Sequence, residues 1–325
     1  MKMDVMNVRR LIPTAALATA VALGAAALTA CSGASAAGSG KDGKLDVMAS
    51  FYPMQFLAER IGKDHVKVES LTKPGVEPHD LEITPQQTGK LGEADLVLYL
   101  KTLQPAVDKA VEQTPAKNVV DAAALTKLEV HGASGHDHAE DEADHGHSHG
   151  ESGEDPHVWL DPVKYAEIAK GVGAALEKAD PDHSADYKKN TDDLVAELTA
   201  LDTEFKDGLK NTATKTFITT HSAFGYLSAR YELDQEGISG VDPESEPTPA
   251  RMKELQDVAK KDNVTTVFFE ALASDKTAKS LARDTGLKTD VLDPVEGITD
   301  ASQGADYFAI MRSNLKNLQK ALGNK

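Results

Sequence analysis

The chain has 325 residues, with 52 acidic and 35 basic side chains and a formal net charge of −17. This balance excludes a phosphate-tracking nucleic-acid binder, because Lys and Arg stand singly or in pairs along an acidic chain and form no basic stripe. The length suits two lobes of about 100 to 150 residues, and a composition 40% hydrophobic and 27% charged describes a soluble globular chain whose acidic excess favours cations as guests.

At the N-terminus, Lys2, Arg9 and Arg10 precede an apolar run from Leu11 to Ala30 that ends at Cys31, the pattern of an export signal. Leu28-Thr29-Ala30-Cys31 resembles a bacterial lipobox. Residues 1–30 are therefore expected to be a lipoprotein signal peptide and Cys31 the lipidated first residue of the mature protein. The alternative is a transmembrane anchor of ~20 residues. Cys31 is the single cysteine, so no internal disulfide can form. Residues 31–44, small, polar and glycine-rich, read as a flexible tether. The expected location is the extracytoplasmic face of the cell membrane, held by lipid.

From Leu45 onward, short β-branched or apolar runs alternate with longer helical stretches, which predicts an α/β chain of mainly parallel sheets. Strands are expected at Leu45–Ala49, Val66–Leu71, Asp95–Leu100 and Val119–Val120, with helices near Met54–Ile61, Pro85–Leu91 and Gln104–Gln113. Thr84-Pro85 and Asp161-Pro162 each supply a helix start, a capping side chain followed by proline at the first helical position. A helix from Pro162 ends at Asp180-Pro181. From His183 to Lys210, Leu194, Leu198, Leu201 and Phe205 recur at spacings of four, three and four, one amphipathic helix of at least seven turns. A second set follows. Strands are expected at Thr216–Thr220, Leu233–Ile238, Val264–Glu270 and Lys288–Leu292. Helices are expected near Ala223–Arg230, after Thr248-Pro249, at Lys276–Thr285 and at Tyr307–Leu322.

Residues 131–155 interrupt this order with six of the eleven histidines, eight acidic residues and no Lys, Arg or large apolar side chain. Such a composition buries no core and predicts a loosely ordered loop that binds divalent transition ions weakly at several places.

Five histidines remain. His65 and His183 read as exposed or capping residues. His79, in GVEPHDLEITP, His157, in EDPHVWLDP, and His221, in THSAFGYL, fall on loops, two of them at strand ends, where parallel α/β sheets place ligands. If two lobes face each other, a metal in the cleft draws three imidazoles from these positions. Its fourth ligand comes from the loop after the last strand, VLDPVEGITD, from Asp293 or Glu296. Three imidazoles and a carboxylate suit Zn(II) better than Ca(II), Mg(II) or Mn(II), whereas copper and nickel would bind at least as readily. Affinity is expected to fall as pH drops through the imidazole range near ~6.5.

The motifs EPHD with Thr84-Pro85, DPHVWLDP, THSAFGYL and LDPVEGIT, in this order, resemble those of the metal-binding lipoprotein subunits of bacterial ABC importers. These are the cluster A-I (cluster 9) solute-binding proteins, and the likeness is to the zinc branch with a histidine-rich loop. The resemblance implies two similar lobes, 45–182 and 211–325, joined by one rigid helix over 183–210, with the metal in the cleft. It implies His79, His157 and His221 as ligands, Glu296 as the fourth, Asp293 as second choice, and Glu77 outside the set or competing for the metal. It further implies a monomer that captures Zn(II) and passes it to an ABC permease. Manganese members are similar but carry a carboxylate in place of His221. A secreted zinc hydrolase with three histidines and a catalytic water is the enzyme alternative, although no H-E-x-x-H or G-x-S-x-G pattern is present. An adhesin with a structural metal is the third class.

Overall fold

The computed structural model describes residues 43–131, 153–272 and 275–323. The expected signal peptide, Cys31, nearly all of the tether and residues 132–152 of the histidine-rich segment lie outside the described residues. Among the described residues, no helix is long and apolar enough to cross a membrane.

The first lobe runs β1 (Leu45–Ala49), α1 (Tyr52–Gly62), β2 (Val66–Ser70), α2 (Pro85–Glu93), β3 (Leu96–Tyr99), α3 (Pro105–Gln113) and β4 (Val119–Asp121). Then come α4 (Pro162–Ala179) and α5 (Ser184–Leu209). The second lobe runs β5 (Thr216–Thr219), α6 (Gly225–Tyr231), β6 (Asp234–Gly237), α7 (Pro249–Lys261), β7 (Thr266–Phe269), α8 (Lys276–Thr285) and β8 (Lys288–Val291), and α9 (Tyr307–Leu322) closes the chain. Each lobe holds a four-stranded sheet. The orders β2-β1-β3-β4 and β6-β5-β7-β8 are the same topology used twice, and every pairing is parallel. The α/β reading with two similar lobes is borne out.

The strands carry apolar residues on both faces because both faces are covered, as parallel sheets require. Val47, Ala49, Leu96 and Leu98 face one core, while Met48, Val97 and Tyr99, one residue out of phase, face a second with Leu91 and Val107. The second lobe repeats this, with Phe217 and Phe268 in the first core and Ile218 and Val267 in a third. The first core is shared by the two lobes. Leu194, Leu198, Leu201 and Phe205 of α5 lie in it, all buried, so the periodicity read from the sequence marks the stripe that welds the lobes together. Gly173 on α4 lets α5 approach closely, since a Cβ there would stand 2.2 Å from Thr191 Oγ1.

Three helices start as the sequence predicts. Thr84 accepts from the Gln87 N–H, Asp161 from Val163 and Thr248 from Arg251, each with proline next in line. Asp161 has a second partner that the sequence does not reveal. Arg230, on α6 of the other lobe, places Nε 2.9 Å and Nη2 2.6 Å from its Oδ2. Asp161 is 2% exposed and the Arg230 side chain 30%, so removing the arginine strands a buried carboxylate. Arg230→Ala is expected to cost about 2 kcal/mol, below the ~3–5 kcal/mol of a fully buried pair because the arginine is partly solvated. Thermal unfolding of the metal-free protein should then fall by several degrees; an unchanged midpoint would show that the pair contributes nothing.

His65 and His183 are not independent surface residues. Their rings stack at 3.9 Å between the start of β2 and the start of α5, with His65 Nε2 3.0 Å from Asp186 and His183 Nδ1 2.7 Å from Asp180. His183 precedes α5 but makes no side-chain cap.

Candidate metal centre

The carboxyl ends of the two sheets converge, and the loops that leave them carry the site. His79 lies in the loop after β2. Buried Gln104 braces that loop, with its amide donating to the Pro78 carbonyl (3.2 Å) and to Thr72 Oγ1 (2.9 Å). His157 precedes α4. His221 lies two residues past the end of β5, its carbonyl held by Thr219 Oγ1 (2.7 Å) and Gln235 Nε2 (3.0 Å).

Glu296 follows β8 through a turn under strain. Val295, a buried β-branched residue, has φ 59°, a conformation such side chains rarely adopt. The turn is pinned on every side. Val295 N–H donates to Asp293 Oδ1 (2.8 Å), Asp293 exchanges two hydrogen bonds with the buried Asn314, and Trp159 Nε1 donates to the Pro294 carbonyl (2.7 Å). This bracing aims the Glu296 carboxylate into the cleft.

One ligand atom from each of His79, His157, His221 and Glu296 lies within 4.8 Å of the others, the one group of three or more His, Cys, Asp or Glu among the described residues that could hold a metal. The spacing tests whether zinc fits. A tetrahedral ion with bonds of ~2.0–2.1 Å needs ligand atoms about 3.4 Å apart. Observed are His157 Nε2 to His79 Nε2 at 3.3 Å, His157 Nε2 to His221 Nε2 at 3.4 Å, and Glu296 Oε1 to His157, His79 and His221 at 3.2, 3.4 and 3.8 Å. Both Glu296 oxygens are buried without a hydrogen-bond partner. Such groups are costly to bury unless something binds them, and a cation held between them and the imidazoles would do so. His79 is the member of the group on the solvent side, its side chain 10% exposed where those of His157, His221 and Glu296 are 0%. A groove lined in part by Asp80, Glu154 and Asp242 reaches it.

The second nitrogen of each buried imidazole is spoken for. His157 Nδ1 donates to Asp155 Oδ1 (2.8 Å) and His221 Nδ1 to Glu270 Oε1 (2.6 Å), which turns each Nε2 toward the cleft. Thr220 also bonds Glu270. The electrostatics follow from burial among opposite charges. Burial alone would lower His157, yet the hydrogen bond with Asp155 and the adjacent Glu296 carboxylate outweigh burial and raise it to about 10. His221 is also raised, burial being overcome by Glu270 and Glu296. Glu296 is held below the ordinary carboxylate range, the effect of its burial overcome by His157 and His79.

Sequence reasoning left Asp293, Glu296 and Glu77 open for the carboxylate, and the structure brings only Glu296 among the three imidazoles. Asp293 braces the turn, and burial pushes it up to about 6. Glu77 accepts the His79 N–H at 3.2 Å, and burial, with Glu296 nearby, raises it to about 8. Asp155 and Glu270 were missed. Asp155 was grouped with the loosely ordered segment, and that boundary is corrected: its side chain is fully buried and its N–H is bonded to the Glu129 carbonyl (2.8 Å).

Comparison with known proteins places this geometry in a family. Residues 47–321 match the family described as zinc-uptake complex component A, periplasmic. The high-affinity zinc uptake system protein ZnuA of Bacillus subtilis is 37% identical over 303 residues, 91% of this chain and 93% of that one. The zinc-binding lipoprotein AdcA of Streptococcus pneumoniae is 35% identical over 301 residues, 90% of this chain, and this chain spans only 58% of its length. The crystal structure of the Zn(II)-bound ZnuA-like domain of S. pneumoniae AdcA superposes with a TM-score of 0.71 at 30% identity, covering 86% of this chain and 99% of that one.

Proposed function

The chain belongs to the family of periplasmic zinc-uptake components, and from that premise we propose that it captures Zn(II) outside the cytoplasm and delivers it to an ABC-type permease. His79, His157, His221 and Glu296 are the ligands in this reading, and the ion is cargo. The observation that carries it is the quartet itself, four ligand atoms within 4.8 Å of one another, five of their six separations between 3.2 and 3.8 Å, with the Glu296 oxygens buried and otherwise unpartnered. Four protein ligands leave no open position for an activated water, which favours capture over hydrolysis. Three imidazoles favour zinc over manganese, whose sites are richer in oxygen. Cys31 carries the lipid that keeps the chain, a monomer, at the extracytoplasmic face of the membrane.

Cells lacking this protein should take up radioactive zinc poorly from chelator-treated medium. Uptake should return with the wild-type chain and not with His221→Ala, while manganese uptake stays the same in all three strains. Equal zinc uptake with and without the chain would remove the transport role, and restored manganese uptake would replace the cargo.

A further inference from the structure

We infer that His131 is a positioning residue for His157, acting through the carboxylate of Asp155. This rests on His157 being a zinc ligand. In the sequence His131 is one of six histidines in the acidic segment, with nothing to set it apart.

In the fold its place is specific. Asp155 is shared between two imidazoles: Oδ1 accepts from His157 Nδ1 (2.8 Å) and from the His157 N–H (2.9 Å), and Oδ2 accepts from His131 Nδ1 (2.9 Å). His131 packs against the edge of Tyr226, ring centroids 4.4 Å apart and planes at 81°. The Tyr226 hydroxyl in turn donates to the Asp155 carbonyl (2.9 Å) and accepts from the Glu129 N–H (2.7 Å). His131 is thus wedged between Asp155 and α6 of the opposite lobe.

A second observation is independent of these bonds. Gly225 opens α6 without a positive φ, so backbone conformation does not require glycine there. Space does. A Cβ at Gly225 would stand 2.5 Å from His131 Cβ, 2.6 Å from its Cγ and 2.8 Å from Asp155 Oδ2. The glycine leaves the room that His131 and the carboxylate occupy.

The physical role follows from how a carboxylate orients an imidazole. To bind metal through Nε2, His157 must keep its proton on Nδ1 and hold one ring orientation, and Asp155 Oδ1 enforces both. A carboxylate held by His157 alone could rotate about its side-chain torsion. With Oδ2 occupied by His131 and the backbone tied to Glu129 and Tyr226, Oδ1 has one place to be.

The test uses the full chain and three variants, His131→Ala, His131→Asn and His157→Ala. Affinity of the tightest site is read by competition with a chromophoric zinc chelator, ligand geometry by the visible spectrum of the Co(II) form, and fold by thermal unfolding without metal. His131→Ala should weaken zinc about 10- to 100-fold, the range for partners that orient a ligand, and should shift the cobalt bands. His131→Asn, whose amide can donate to Asp155 Oδ2, should recover most of both. Lower unfolding temperature in His131→Ala with affinity and cobalt spectrum unchanged would make His131 merely structural and overturn the inference. If His157→Ala loses the tight site while His131→Ala does not, the inference fails and the site stands. Tight zinc retained in both variants would overturn inference and site together.

Discussion

Replacing His157 with alanine is expected to weaken zinc binding by roughly a hundred- to a thousandfold. One ligand of four carries about a quarter of the ~10–16 kcal/mol of a tetrahedral zinc site, or about 2.5–4 kcal/mol. Among the three histidines His157 should be the most damaging to lose, because it stands at the centre of the cluster. Its Nε2 lies 3.3 Å from His79, 3.4 Å from His221 and 3.2 Å from Glu296. Its loss also takes the imidazole donor from the fully buried Asp155, whose Oδ1 keeps only the backbone N–H of residue 157. His183→Ala, far from the cleft in the stack with His65, supplies the contrast and should bind zinc as the wild type does. Titration calorimetry on both variants, with circular dichroism to verify the fold, checks this. Equal loss in the two, or in neither, would contradict it.

The second large effect is on pH, and here the structure revises the expectation from sequence. Free imidazoles would place the fall in affinity near ~6.5. The buried His157 instead holds its proton up to about 10, because Asp155 and Glu296 outweigh the effect of burial. At any pH below that value zinc must displace this proton. The sign is fixed: raising the pH removes the competitor, so affinity climbs through the range from pH 6 to 9, by up to about tenfold per unit for one proton released. The raised His221 steepens the climb. Calorimetry at pH 7.5 in buffers of different ionisation enthalpy should report release of at least one proton per zinc. An affinity that levels off above pH 7 would mean that His157 is already neutral in the metal-free protein.

Much of the fold was legible because its rules are local. The strand–helix alternation, the Thr-Pro and Asp-Pro helix starts and the Leu194–Phe205 stripe all depend on neighbours within a turn or two. The strands at Asp234–Gly237 and Thr266–Phe269 are shorter than the apolar runs suggested, although the Ile238 N–H still reaches the Thr219 carbonyl (2.8 Å). For the site, strand-end position was the useful signal: it singled out His221 and the loop of Glu296. The same rule applied to TVFFE would have found Glu270, one residue past β7.

Asp155 was missed for a different reason. An Asp two residues before a His, with proline between, is a local turn in which the carboxylate accepts the His N–H, yet the acidic composition of residues 131–155 masked it. The pairings of Arg230 with Asp161, Asn314 with Asp293 and His65 with His183 join residues far apart in sequence, and no local pattern carries them. The backbone strain at Val295 is likewise a product of tertiary bracing, because nothing about Pro-Val-Glu demands a positive φ.

The central claim is that one zinc ion sits among His79, His157, His221 and Glu296. Zinc K-edge X-ray absorption on the full chain loaded with a single equivalent, in parallel with Glu296→Ala, tests it most directly. Three imidazoles and one carboxylate oxygen at ~2.0–2.1 Å, with one oxygen changed or lost in the variant, is the predicted result. A spectrum that Glu296→Ala leaves untouched, or one with fewer than three imidazoles, would place the tight ion elsewhere in the chain.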